Sequence, residues 1–377
     1  VTYDLVVDGL PTAWGEPPIC ARFKVEPADF IVREHLGFDL DGQGEHLFLL
    51  IRKCALNTHD VVDTLQRQFK CRSVDIGICG LKDKHAITDQ WVSIRTPLNL
   101  SDTDLELNDE SLQPHDKMEA GQLQILTATR HSRKLRRGAH QENQFIVRLQ
   151  DVHAAQQTDI EEHADIQEKV SARLNTISSL GFPNYFGRQR FGFNQQNLAQ
   201  AQRYFSNPRQ KITRTKRGLY LSAARSAIFN RVCAHRVQTH SWNTPLNGEP
   251  MILDGAQSFF VHTERDTETI ARCKSFDIQT SGPMWGKGEA IATADCAEFE
   301  RDAMASLSSF CSGLATNNLK QQRRALRVRP SNLEWQWITR DCLVLRFGLP
   351  VGSYATSLLA ELVSIEQHEH RIQDKRS

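Results

Sequence analysis

Apolar and polar positions alternate through much of the first hundred residues. Arg22-Phe23-Lys24-Val25 passes through a Pro27 turn into Phe30-Ile31-Val32-Arg33-Glu34. The apolar core of Glu45-His46-Leu47-Phe48-Leu49-Leu50-Ile51-Arg52 predicts a buried strand. Asn57-Thr58 then cap a predicted helix whose Val61, Val62, Leu65 and Phe69 share one face. Val74-Asp75-Ile76-Gly77-Ile78-Cys79 and Trp91-Val92-Ser93-Ile94 predict two more strands, with Gly80–Gln90 as the loop between them. Residues 101–120 are polar and acidic and read as a variable loop. Strand character returns at Gln122–Leu126 and Phe145–Leu149, and a long helix is predicted from about Ile160 to Leu180.

At Gly181-Phe182-Pro183-Asn184-Tyr185-Phe186-Gly187 the texture changes. Helices are predicted near 219–238 and 299–312, joined by Pro/Gly-rich connections at 245–256 and 281–288. After about Arg329 the strand pattern resumes in Leu333–Trp337 and Cys342–Phe347, then a Gly352-Ser353-Tyr354 turn leads to a helix from about Thr356. A β-rich beginning and end around a helical middle predicts an α+β domain carrying an insertion.

A chain of 377 residues with 40% hydrophobic and 24% charged residues has room for two ordinary globular domains. The formal charge of +1 hides strong segregation. Asp102, Asp104, Glu106, Asp109, Glu110 and Asp116 lie in one acidic run, and Asp159, Glu161, Glu162 and Asp165 in another. Against them stand three basic tracts: Arg130–Gly138 with Arg133, Lys134, Arg136 and Arg137; Arg209–Arg217; and Lys320–Arg329 with Arg323 and Arg324. Arginine outnumbers lysine in each, which suits bidentate phosphate contacts and stacking on bases, so a phosphate-binding surface is expected. The nine cysteines are scattered and without a C-x-x-C pair, which argues against a disulfide framework or zinc ribbon and for a reducing cytoplasm. Val1-Thr2-Tyr3-Asp4 does not resemble a signal peptide, and the longest apolar run, Leu47–Ile51, is too short to span a membrane.

Gly282–Gly288 is one residue short of P-loop spacing and lacks its Ser or Thr, and His368-Glu369-His370 lacks H-E-x-x-H spacing. Neither G-x-S-x-G nor a strand-following G-x-G-x-x-G occurs, so no metal and no organic cofactor are implied. The chemistry-bearing candidate is Asp83, set between Lys82 and Lys84 on its loop. Flanking cations should keep it ionised, which suits a nucleophile better than a general acid. Read alone, however, the stretch is first of all a solvated charged loop. Asn143 and Phe145, two apart on a predicted strand, share a face and could pair an amide with a stacking ring, or merely start a core strand. Tyr185, Phe186, Phe191 and Phe193 around Arg188 and Arg190 either bind RNA or pack a domain junction.

Taken in order, four blocks resemble the TruD family of tRNA pseudouridine synthases: Gly80–Gln90; Asn184-Tyr185-Phe186-Gly187 with Gln189-Arg190-Phe191-Gly192; Gln322-Arg323-Arg324-Ala325-Leu326; and Leu349–Ser357. The likeness runs from about residue 20 to 362, with the acidic 101–116 loop as an addition. It implies a cofactor-free isomerase acting on tRNA, with the uridine at position 13 of the D-arm as target. It also implies a pseudouridine-synthase catalytic domain over 1–180 plus 329–377, and an inserted TRUD domain over 181–328 forming the other wall of an RNA cleft. Asp83 falls on the catalytic aspartate, which would attack C6 of uracil or C1′ of ribose, or trap a glycal. Phe145 and Asn143 fall on the base-recognition pair, Phe30 and Tyr354 on further pocket aromatics, and Lys24 on a basic position near the carboxylate. No membrane and no obligate protein partner are implied. The alternatives are a non-catalytic tRNA-binding protein and an RNA chaperone on the same fold.

Overall fold

The computed structural model describes residues 9–96, 120–155, 163–207, 209–256, 258–263 and 266–366. The acidic 101–116 loop and His368-Glu369-His370 lie outside them. The chain forms two compact units.

The first unit comprises Pro18–Val170, Pro330–Gly352 and the described residues from Val363 on. Its centre is a ten-stranded mixed sheet whose main order is Ser331–Thr339, Cys342–Pro350, Glu142–Ala154, Phe30–His35, Ile87–Arg95, His46–Cys54, Leu123–His131. Strand Glu142–Ala154 runs antiparallel to both neighbours, and Phe30–His35 is parallel to Ile87–Arg95. The short strand Ile76–Ile78 pairs with the far end of Ile87–Arg95, Ile76 opposite Ile94. The loop between those two strands therefore emerges at one end of the sheet. Helix Thr58–Gln68 covers one sheet face. Val61 and Leu65 are fully buried among Leu49, Ile51, Val92 and Ile94. Its start is fixed by a capping box in which Asp60 Oδ2 accepts the Asn57 N–H at 2.8 Å.

The second unit comprises the described residues up to Pro17, Ser171–Arg329 and Ser353–Leu362. Helix Arg214–Gln238 is its spine, with Ala223, Ala224, Ala227, Ile228 and Phe229 fully buried. Helices Gln196–Ser206, Ala294–Met304 and Ser308–Ala315 pack around it. Two buried ion pairs, Arg236–Glu249 and Arg323–Glu300, lie in this unit. It takes in chain ends that the expected 181–328 boundary left out. Glu361 accepts the Ala13 and Trp14 N–H groups at 2.9 and 3.1 Å, and Trp14 Nε1 donates to Gly181 O at 2.9 Å. Among the described residues no helix is long and apolar enough to cross a membrane.

Candidate active site

Asp83 stands on the loop that leaves strand Ile76–Ile78 and returns as Ile87–Arg95. Three tethers hold this loop. Lys82 N–H donates to Thr58 Oγ1 at 2.9 Å, at the start of helix Thr58–Gln68. The fully buried Lys53 donates through Nζ to the Asp83 carbonyl at 2.7 Å. Gly138 N–H donates to Cys79 O at 2.8 Å, which ties in the basic tract beside the loop. The returning strand is locked by Arg52, bidentate on Asp89 at 2.7 and 2.8 Å.

The Asp83 carboxylate is partly buried, with a quarter of its side chain exposed. Oδ2 forms an ion pair with Lys24 Nζ, and Oδ1 accepts the His85 N–H at 3.0 Å. Burial alone pushes its pKa up, but the Lys24 charge and the two hydrogen bonds outweigh burial and hold it below the ordinary carboxylate value. Asp83 is therefore an anion at neutral pH.

Lys24 follows strand Ile19–Phe23 in the left-handed region at φ 58, a conformation unusual for a non-glycine residue. Its ammonium sits 4.3 Å from the Phe30 ring centroid and 5.4 Å from Phe23. Phe30 and Phe145 stack at 5.9 Å and 23°, and Phe145 and Phe347 at 5.4 Å and 25°. A row of rings on adjacent strands thus carries the cation that ionises the carboxylate. Phe145 lies in the middle of this row and is 7% exposed, so only the rim of its ring is open rather than a face. Beside it, Asn143 Oδ1 accepts from Lys82 Nζ at 2.5 Å, and the same ammonium pairs with Glu34 at 2.8 Å.

Glu34, Cys79 and His140 bring a carboxylate, a thiol and an imidazole within 4.8 Å of one another. The donor set fits a metal poorly. Burial pushes the Cys79 thiol up to about 12, and Glu34 is already engaged by Lys82 and by the Trp91 N–H at 2.7 Å.

A family model for tRNA pseudouridine synthase D (TruD) matches residues 11–200 and 195–362. The chain belongs to the TruD family. It is 39% identical to tRNA pseudouridine synthase D of Methylococcus capsulatus over 95% of each chain. With the protein of that name from Nitrosococcus oceani it shares 41% identity over 94% of this chain and 93% of the relative. A crystal structure from Methanosarcina mazei, named for tRNA pseudouridine synthase D, superposes with a TM-score of 0.68 at 17% identity, covering 95% and 96% of the two chains. That likeness concerns the fold, which is of the α+β pseudouridine-synthase type.

Within this TruD member the structure gathers Asp83, Lys24, Phe30, Asn143 and Phe145 in the sheet unit. Tyr354 belongs to the helical unit, where its hydroxyl accepts from Arg190 Nε at 3.0 Å and its ring meets Phe186. Arg133, Lys134, Arg136 and Arg137 are exposed on the sheet unit, and Arg188 is exposed on the helical unit. Arg323 corrects the expectation of RNA contact. It is 7% exposed and bidentate on Glu300 at 2.6 and 3.1 Å, and it also donates to Ser281. Arg324 likewise turns inward, onto Asn184 and over the Phe186 ring at 4.1 Å. The third basic tract is therefore mostly core wiring. A second correction concerns the flanking lysines: Lys82 serves Glu34 and Asn143, Lys84 is exposed, and Lys24 is the ionising partner.

Sequence reasoning missed Lys53 and Glu34. Each sits at the charged end of an otherwise apolar strand, Lys53 after Arg52 and Glu34 after Arg33, and sequence does not tell which of two adjacent charges turns inward.

Proposed function

We propose that this protein converts uridine to pseudouridine in tRNA in the cytoplasm, with Asp83 as nucleophile and the D-arm uridine at position 13 as its target. The observation that carries the reading is the ionised, half-desolvated Asp83 paired to Lys24 above a row of aromatic rings, in a TruD-family chain. The reaction is an isomerisation. The N1–C1′ bond breaks, the uracil turns while held in place, C5 bonds to C1′, and the C5 proton leaves as N1 gains one. Electrons and atoms balance without a redox partner. Asp83 supplies the electron pair that holds the intermediate, at C6 or at C1′.

Flipping the base out of the tRNA costs a few kcal/mol. Contact with the rim of the Phe145 stack and a hydrogen bond from the Asn143 amide offset that cost, and Lys82 fixes the amide by occupying its oxygen. The exposed Arg133, Lys134, Arg136 and Arg137 take phosphates beside the loop. In this reading the sheet unit does the chemistry and the helical unit adds RNA contacts. The test is to map pseudouridines in cellular tRNA with and without the protein. A mark at position 13 that vanishes with the gene supports the reading, and an unchanged map refutes it.

A further inference from the structure

Tyr185, Phe186, Phe191 and Phe193 are neighbours in the sequence, and the fold separates them. The first three are 5%, 5% and 0% exposed, whereas Phe193 is 80% exposed, more than any other large apolar side chain among the described residues. A single exposed ring is ordinary. The backbone that presents this one is not. Gly192 has φ 76, Asn194 φ 47 and Gln195 φ 58, so two consecutive non-glycine residues lie in the left-handed region that L side chains rarely adopt. Firm anchors on both sides impose the turn: Phe191 before it, and Leu198 and Ala201 of helix Gln196–Ser206 after it, all fully buried. The exposed ring of Phe193 is presented at this turn.

The electrical setting names the partner. Residues 170–248 contain twelve lysines and arginines and no aspartate or glutamate; Arg236 is buried against Glu249, whereas Arg188, Arg203, Arg209, Lys211, Arg214, Lys216 and Arg217 are exposed, which biases the surface of this segment toward positive charge. Arg188 and Gln189 are exposed just before the turn, and Arg214, Lys216 and Arg217 are exposed at the start of helix Arg214–Gln238. Arg190 ties turn and helix together through Ser222 Oγ at 3.0 Å. An exposed planar ring five residues after the exposed Arg188 suits an unpaired nucleotide, whose base stacks while its phosphates meet arginine.

We propose that Phe193 is a stacking platform for an unpaired base of the RNA substrate. This rests on the tRNA-modifying reading above and adds a contact outside the Asp83 site.

The test measures binding of an unmodified tRNA transcript, together with turnover, for Phe193→Ala, Phe193→Leu and Phe193→Trp. Loss of a stack worth about 1–3 kcal/mol predicts a Kd raised roughly 5- to 150-fold for Phe193→Ala, with KM affected more than kcat. Phe193→Leu should resemble Phe193→Ala, and Phe193→Trp should bind within about twofold of the parent. All three should keep the parent melting temperature, because the ring is exposed. Unimpaired binding by Phe193→Ala, or rescue by leucine as complete as by tryptophan, overturns the proposal. The readout is binding, so it stands apart from failure of the catalytic reading, which would appear as tRNA bound but never modified by the parent protein.

Discussion

Two lysines, Lys24 and Lys53, shape the electrostatics of Asp83. Lys24 offsets the carboxylate's burial and holds its pKa down. Replacing Lys24 with methionine leaves burial and the His85 N–H behind, so the acid limb of the pH–rate profile should move to higher pH. The folded-state pKa of Asp83 lies below its unfolded value of about 3.9. The pair's stabilisation is therefore complete above that value and is lost as pH falls through the folded pKa. Lys53 works on the alkaline side. Burial pushes its pKa down to about 8, opposed by the Asp83 charge. Activity should fall as pH rises through that value and Lys53 loses its charge, and Lys53→Met should abolish this limb. The linkage runs the other way. Between about 8 and the ordinary lysine value near 10.4 the unfolded chain binds more protons, so stability rises with pH over that window. The placement of Asp83 on a loop between two strands was legible from its motif. The identity of its cation was not, because Lys24 reaches it across 59 residues through a fold that local spacing does not encode.

The loop bearing Asp83 depends on how closely its strands approach. A Cβ on Gly77 would lie 2.3 Å from Leu135 O and 2.6 Å from Ser93 Oγ, and Ser93 Oγ also accepts the Leu135 N–H at 3.0 Å. Gly77→Ala should therefore cost about 1–3 kcal/mol and shift the start of the loop, lowering both melting temperature and kcat. Thermal denaturation with single-turnover kinetics checks both. At this scale the sequence read well where one periodicity dominated. Helix Thr58–Gln68 carries the predicted apolar face and its Asn57 cap, and the strands either side of Asp83 are present. It read poorly in Lys320–Arg329. Arg323, Arg324 and Arg327 turn inward to Glu300, Asn184 and Gln279, partners brought close only by pairing of Ser281–Met284 with Gln322–Ala325 and by packing around it. A run of arginines looks the same in sequence whether its partners are phosphates or buried carboxylates.

For the whole molecule, the two kinds of arginine predict opposite phenotypes. Arg136→Ala removes an exposed cation and should lower the slope of log affinity against log salt by roughly 0.7–1, with stability unchanged. Arg323→Ala strands Glu300 as an uncompensated buried charge and should cost about 3–5 kcal/mol of stability, leaving the salt slope of the surviving folded protein alone. Salt titrations of tRNA binding, run beside denaturation curves, separate them. The α+β class, with a β-rich beginning and end around a helical middle, was visible as changes of texture. The assignment of Ser353–Leu362 and the described residues up to Pro17 to the helical unit was not, because it depends on Glu361 meeting the Ala13 and Trp14 amides from the far end of the chain. Everything rests on Asp83. The most direct measurement is tritium release from tRNA labelled at C5 of uridine, comparing the parent protein with Asp83→Asn under conditions where both bind tRNA. The parent should release tritium from one uridine per tRNA while Asp83→Asn releases none with affinity kept. Full release by Asp83→Asn would contradict the account.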